Sequence, residues 1–518
     1  SFIIIQNKYA FQVPQAQQGP RQLRHGTLSH HSPSLQTRAF GSNPGIFHRV
    51  FNTLDKGTHA YSTVRHDPTA PLAGHSPVEA TDVPHEYNVT KLSNGFTVLT
   101  ESQNFPGAVH MGFLMDVGTR DETAETSGAL LALKNTYLKT LKHTNETINY
   151  GMIQMSGGAM SMDFDQEKTY FKGHCIEYDV IDMFQMMVDL ALEPKSVLAA
   201  NVARAKNAKS HDLFNHLSKF DPWASQQENL LRTAYGYNTL GMPRLGMEKN
   251  LDNIDSRMLQ QFVMDNITPK KSLIVASGVQ NHQEYVDLVK ERIGELLPVP
   301  EHDFTRQPSK YIGGELRTWA ETPNTSITLA FESVPWKSAE VPVFYVMNQL
   351  IGSATAFSSG GPGKGMHCRA VTNLMQKHSF VDGASAVNSH FSDSGLFGMT
   401  IEGPGSHSQE LMSVLVEELN SLKENIDEVE LNRAKNVLKM NILMAMERTE
   451  DRLEEIARNY QAFGDLTFHQ YCEKIDAVTS ADINAAASKC LSGQPTLLVS
   501  GGAINLVPSV TDVARQLQ

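Results

Sequence analysis

Apolar positions along this chain fall into two periods that succeed each other in the same order twice. Val109 to Val117 (VHMGFLMDV) has the short apolar run of a buried strand and leads into a helical pattern from about Ser127. Ile327 to Val334 (ITLAFESV) repeats the strand signal and leads into a helical pattern from about Ala339. Leu251 to Gly278 aligns without a gap on Ile475 to Gly502, pairing Asp252 with Asp476, Ser256 with Ser480, Leu273 with Leu497 and Val275 with Val499. In both copies Ser256 or Ser480 is expected to cap a helix that stops before a proline, after which an apolar run ends in glycine. The tetrapeptide RAKN occurs at Arg204 to Asn207 and again at Arg433 to Asn436, each on a predicted helix. A repeat of this kind fixes architecture more firmly than local propensity does. It predicts an α+β chain of two similar halves, each of about 200 residues.

The first half opens with a hairpin from Tyr87 to Thr100, turning at Ser93, Asn94 and Gly95. Pro298 to Pro308 (PVPEHDFTRQP) interrupts the periodic pattern and marks the boundary. The expected organisation is an N-terminal segment over 1–83, a first domain over 84–297, a linker over 298–310 and a second domain over 311–518.

The length of 518 residues, with 40% hydrophobic and 19% charged positions, supports two folded cores. No apolar run reaches the roughly 18 residues that cross a bilayer, so no transmembrane segment is expected and any membrane link is through a partner. A net charge of −12 argues against a nucleic-acid partner and suits a basic ligand or plain solubility. Four scattered cysteines, Cys175, Cys368, Cys472 and Cys490, give neither a disulfide framework nor a zinc knuckle. From Ser1 to Leu54 there is no Asp or Glu, while Lys8, Arg21, Arg24, Arg38 and Arg49 stand among Ser, Gln, His and Pro. That composition is expected of a mitochondrial targeting segment, with a disordered basic tail as the bland alternative.

From about Asp82 onward the two-half pattern resembles the pitrilysin-type peptidases. In active members a first-half helix carries HxxEH, whose two His ligate zinc and whose Glu activates water, with a Glu on a later helix as third ligand. Here the matching segment is SGALLALKNTY from Ser127 to Tyr137, and Leu131, Lys134 and Asn135 stand where His, Glu and His are required. No Glu occurs between Glu193 and Glu228, the interval for the third ligand, which offers only Asp212 and Asp221. His211 and His216, five apart, do not share a helical face. The resemblance therefore implies the fold with its zinc motif lost: no catalytic residue and no metal or other cofactor in this chain.

GSATAFSSGGPGKGM, from Gly352 to Met366, resembles the glycine-rich loop of processing peptidases within this family, most specifically at GGPGKGM. A phosphate-binding loop is excluded, because Gly365 follows Lys364 where Ser or Thr is needed. A plain flexible connector is the alternative. Upstream, Ser353, Ala354, Thr355 and Ala356 depart from the more glycine-rich family pattern. The resemblance implies that Gly360, Gly361, Pro362, Gly363, Lys364, Gly365 and Met366 bind presequence peptides. It also implies a beta-type partner subunit that holds the zinc, and a location in the mitochondrial matrix or on the matrix side of the inner membrane. Core subunits of respiratory complex III are relatives of the same two-half type, so other complex III subunits are further expected partners. A purely structural core subunit is the competing function.

Overall fold

The computed structural model describes residues 87–102, 107–137, 146–192, 222–250, 253–293, 306–355, 366–464 and 468–517. The expected targeting segment, the Arg204 to Asn207 copy of RAKN, and His211 and His216 lie outside them.

The first half contains strands β1 (Tyr87–Lys91), β2 (Thr97–Glu101), β3 (Ala108–Met115), β4 (Ala159–Phe164), β5 (Thr169–Ile176) and β6 (Ser272–Ser277). Its helices are α1 (Ala129–Thr136), α2 (Glu146–Met155), α3 (Val180–Ala191), α4 (Pro222–Tyr235), α5 (Ser256–Asn266) and α6 (His282–Ile293). The second half contains β7 (Gly314–Trp319), β8 (Asn324–Ser333), β9 (Ser353–Thr355), β10 (Gly383–His390), β11 (Gly395–Pro404) and β12 (Pro495–Gly501). Its helices are α7 (Val341–Ile351), α8 (Ser408–Ser421), α9 (Glu428–Met446), α10 (Thr449–Phe463), α11 (Phe468–Asp476), α12 (Ser480–Leu491) and α13 (Val510–Leu517). No helix among the described residues is long and apolar enough to cross a membrane.

Each half is built on one six-stranded mixed sheet, in the orders β1-β2-β6-β3-β5-β4 and β7-β12-β8-β11-β10-β9. The repeat read from the sequence is visible here: β6 and β12 each lie parallel to the first strand of the shared core, β2 or β7, and antiparallel to the next, β3 or β8. Both are buried and apolar, as strands with neighbours on two sides must be. The halves differ at their margins, where β1 is an extra edge of the first sheet and β9 of the second. The opening hairpin forms as expected, with Gly95 at φ +100°.

The capping residues are not those expected. Asp255 and Thr479 cap α5 and α12, and Ser256 and Ser480 are the first helical residues. Asp255 Oδ1 accepts from Met258 N at 2.8 Å, while Thr479 and Asp482 bond reciprocally as a capping box. Ser480 Oγ instead accepts from Ile426 N at 3.0 Å. At each site two adjacent side chains suit the cap, and the carboxylate or the boxed threonine takes it.

One face of each sheet is covered by helices of its own half, forming the two main cores. The opposite face is covered by a helix from the other half. From α10, Leu453, Ile456 and Ala457 pack on Leu99, Leu114, Leu273 and Val275 of the first sheet. From α4, Leu230, Leu231, Ala234 and Tyr235 pack on Ala330, Leu396, Leu498 and Phe391 of the second. Each large aliphatic side chain so buried contributes about 1.5–3 kcal/mol. This exchange ties the halves into one body.

Charges complete the tie. Arg120, whose side chain is 1% exposed, pairs with Glu167 of its own half and with Asp393 of the second at 2.9 Å. It also donates to the Gln307 carbonyl at 2.9 Å and to Ser309 Oγ at 3.1 Å. Arg306, the first described residue of the expected linker, pairs with Asp116 at 2.9 Å and Asp121 at 2.7 Å. Lys172 and Arg458 extend the lattice under α10, to Glu454 at 2.6 Å and Asp165 at 3.2 Å. The described end of the expected linker, 306–310, is thus held by the half-buried ion pairs of Arg306 and by the bonds from Arg120 to Gln307 and Ser309.

Candidate functional site

Two segments carry the residues singled out in the sequence: α1, which holds Leu131, Lys134 and Asn135, and the roots of the glycine-rich loop. Gly128 precedes α1 at φ +102° and provides no side chain to cap it. Glu122 does so from a distance. Its Oε2 accepts from Gly128 N at 2.8 Å and its Oε1 from Leu130 N at 2.9 Å, filling two backbone donors that a helix start leaves open. Burial pushes the Glu122 carboxyl up to about 8, against the pull of the amides of Leu130, Gly128 and Ala129.

Along α1, Ala129, Leu130, Leu133 and Thr136 are buried in the first core. Leu131, Lys134 and Asn135 are half-buried on the remaining face. Leu131 packs at the edge of that core. Lys134 Nζ is paired with Asp163 Oδ1 of β4 at 2.6 Å, and both side chains are substantially open to solvent. That face presents a hydrocarbon, an ammonium held by a carboxylate, and an amide. None of the three combines with neighbours into a donor set: among the described residues, no three His, Cys, Asp or Glu side chains converge to hold a metal ion. Most of the interval for a third ligand, 193–221, is outside the described residues.

Of the loop residues singled out in the sequence, Gly360, Gly361, Pro362, Gly363, Lys364 and Gly365 lie outside the described residues, and Met366 is exposed at 44%. The roots are well defined. On the entering side, β9 pairs Ser353 with Ser385 and Thr355 with Gly383. On the leaving side, Arg369 donates to both oxygens of Glu430, at 2.7 and 3.0 Å, and to Ser421 Oγ at 2.9 Å. Gly352 and Cys368 pin the two sides together. Gly352 sits at φ +70°, and a Cβ there would lie 2.5 Å from Cys368 Cβ, so only glycine allows the approach.

The lattice of Arg120 with Glu167 and Asp393, and of Arg306 with Asp116 and Asp121, escaped sequence reading, because its partners are far apart in the chain. A visible signal existed for α10, whose Leu453, Ile456, Ala457 and Tyr460 stand at i, i+3, i+4 and i+7 between two charged faces.

Comparison with known proteins places most of the chain beside known relatives. The mitochondrial-processing peptidase subunit alpha of Solanum tuberosum is 27% identical over 446 residues, covering 84% of this chain and 86% of that protein. In sequence, this chain resembles processing-peptidase alpha subunits. The alpha subunit of Caenorhabditis elegans is 26% identical over 447 residues, covering 80% of this chain and 84% of its own length. A probable mitochondrial-processing peptidase subunit beta of Arabidopsis thaliana is also similar, at 23% over 436 residues, with 83% and 81% covered. Residues 253–438 match the family model described as the peptidase M16 inactive domain. That match runs from α5 across the boundary and strands β7 to β11 of the second sheet into α9. The two-half α+β architecture fits an M16-type fold, and the alpha-type resemblance extends over most of the chain.

Proposed function

We propose that this chain is the non-catalytic alpha-type subunit of a mitochondrial processing peptidase, which binds presequence peptides and presents them to a zinc-containing beta-type subunit. The observation that carries the reading is the joint occurrence of alpha-subunit similarity over most of the chain and a zinc helix occupied by Leu131, Lys134 and Asn135. Zinc needs imidazole, thiolate or carboxylate donors, and a hydrocarbon, an ammonium and an amide do not replace them. Chemistry on the peptide bond would then belong to the partner, where a bound zinc would supply Lewis-acid activation of water. This chain provides recognition. Its net charge of −12 favours a basic presequence, whose attraction acts over a Debye length of about 8–10 Å. The loop from Gly360 to Met366, rooted at Gly352 and Arg369, is the proposed contact with that peptide.

The second function, a structural core subunit of respiratory complex III, has the same fold requirement and differs in its partners. Isolation of the native protein from mitochondria in mild detergent separates the two. Recovery of an HxxEH-bearing partner, with chelator-sensitive presequence cleavage that is lost when Gly360 to Gly365 is deleted, is the result expected. Recovery with complex III subunits and no cleavage would replace the proposed function with the structural one.

A further inference from the structure

The two most exposed large apolar side chains among the described residues stand at one corner of the first half. Tyr178 is 92% exposed and Met155 is 87% exposed. Met155 ends α2, and Tyr178 lies in the turn between β5 and α3, two positions after Ile176. The Ser156 carbonyl, next to Met155, accepts from Ile176 N at 3.5 Å, which brings the end of α2 against the end of β5. Ile176 is itself exposed, as is Ile181, which follows Tyr178 by three positions in the first turn of α3. Four apolar side chains thus face solvent where the chain turns out of the first sheet.

The charges between them are all of one sign. Glu177, Asp179 and Asp182 alternate with the apolar positions. From 143 to 194, a stretch that spans the whole corner, the sequence holds no Arg and only two Lys, Lys168 and Lys172. Both are already held inside the fold, Lys168 by Asp116 at 2.6 Å and Lys172 by Glu454 at 2.6 Å. Exposed apolar clusters rimmed by polar groups mark contact surfaces. Carboxylates at the rim repel the anionic surface of a membrane leaflet. A stable subunit interface uses about 20–30 residues a side, whereas four apolar side chains match the few anchors that one amphipathic helix presents at i, i+3, i+4 and i+7. Positive side chains flanking those anchors complement the three acids.

We infer that this corner is a docking surface for a basic amphipathic helix, apart from the glycine-rich loop, with Met155, Ile176, Tyr178 and Ile181 meeting its apolar face and Glu177, Asp179 and Asp182 its positive charge. That the helix is a presequence rests on the proposed presequence-binding role; the apolar and acidic character of the surface does not. Methionine adapts its shape to different apolar partners, and tyrosine offers a ring and a hydroxyl together, so the surface reads apolar character and charge, not one sequence. The acids contribute mainly to steering and orientation.

The test uses the full chain with its beta-type partner, treated with a chelator so that peptide is bound and not cut. The probe is a fluorescent synthetic presequence peptide that is basic and amphipathic, and a control peptide carries serine at the apolar positions. Binding is followed by anisotropy with Gly360 to Gly365 intact and with that stretch deleted. In the deletion, part of the binding is expected to remain, and Tyr178→Ser combined with Ile181→Ser should weaken it about tenfold, equivalent to about 1.4 kcal/mol. Glu177→Lys combined with Asp182→Lys should weaken it most at low salt, the difference fading as salt rises. The serine control should bind weakly and be unaffected by the apolar pair. Thermal unfolding checks the fold of each variant, and Met155→Ser replaces the apolar pair if that pair is destabilised. Unchanged affinity in the folded variants, with the loop deletion still weakening the peptide, overturns the docking surface and leaves the presequence-binding role standing. Release of the beta-type subunit by the apolar pair, seen by size-exclusion chromatography, overturns it in favour of a subunit contact. Binding to vesicles of anionic phospholipid that the apolar pair abolishes overturns it in favour of a membrane contact. No peptide binding by the unaltered assembly overturns both the surface and the role.

Discussion

Replacing Arg120 by methionine isolates what holds the halves together. The guanidinium is almost fully enclosed and meets Glu167, Asp393, the Gln307 carbonyl and Ser309 Oγ. Methionine keeps most of the side-chain volume and removes the charge. Removing one partner of a buried ion pair costs about 3–5 kcal/mol, because the remaining charge stays buried. The lower end of that range applies here. Glu167 Oε2 keeps a bond from Ser392 N at 2.9 Å, and Asp393 keeps one from Ser309 N at 2.7 Å with its side chain 27% exposed. The expected loss is therefore about 3 kcal/mol. Trp336 reports on the region, since its ring lies 5.7 Å from both Lys168 Nζ and the Phe463 ring. Denaturant unfolding followed by tryptophan fluorescence should show an earlier midpoint. Adding Asp393→Asn to Arg120→Met should cost less than the sum of the two single changes, with a coupling of about 1–2 kcal/mol. A single-variant loss below about 1 kcal/mol, or strict additivity, would refute the assignment of Arg120 as the clasp.

Other outcomes follow from the same contacts. Lys134→Ala removes an exposed ion pair and should change stability by less than about 1 kcal/mol in thermal unfolding, with presequence cleavage by the assembled peptidase preserved. Glu122 has its folded-state value raised to about 8, so its contribution to stability is present at low pH and is lost as pH rises from about 4.5 through 8. Glu122→Gln should flatten the decline of stability between pH 5 and 8, measured by denaturant midpoints across that range. Glu455, pushed up to about 7 by burial, acts in the same direction, and Glu455→Gln should remove a similar slope below pH 7. Gly352→Val forces a Cβ against Cys368 at positive φ and should cost about 1–3 kcal/mol, with weaker peptide binding as the loop roots separate.

Legibility in the sequence followed the range of the interaction concerned. The ungapped match of Leu251 to Gly278 with Ile475 to Gly502 located α5, β6, α12 and β12, because burial of a strand and capping of a helix are set by near neighbours. The choice between Asp255 and Ser256 as cap was not legible, since both side chains suit the position and Asp255 takes it. The stretch before the second domain read as a connector from its Pro and charge, yet Arg306 is bound to Asp116 and Asp121. Ion pairs between residues nearly two hundred positions apart leave no periodic trace. The exchange of α4 and α10 is likewise set by contacts between the halves that no local pattern records. At α1, residue type gave Leu131, Lys134 and Asn135 no metal-ligand chemistry, and only the structure shows Lys134 joined to Asp163.

The most direct measurement is presequence cleavage in a reconstituted system, with this chain alone, a zinc-loaded beta-type subunit alone, and the two together. Cleavage by the pair only, abolished by a chelator and with zinc recovered only on the beta-type subunit, is the result the proposed division of labour predicts. Cleavage by this chain alone, or full activity of the beta-type subunit without it, would contradict that division.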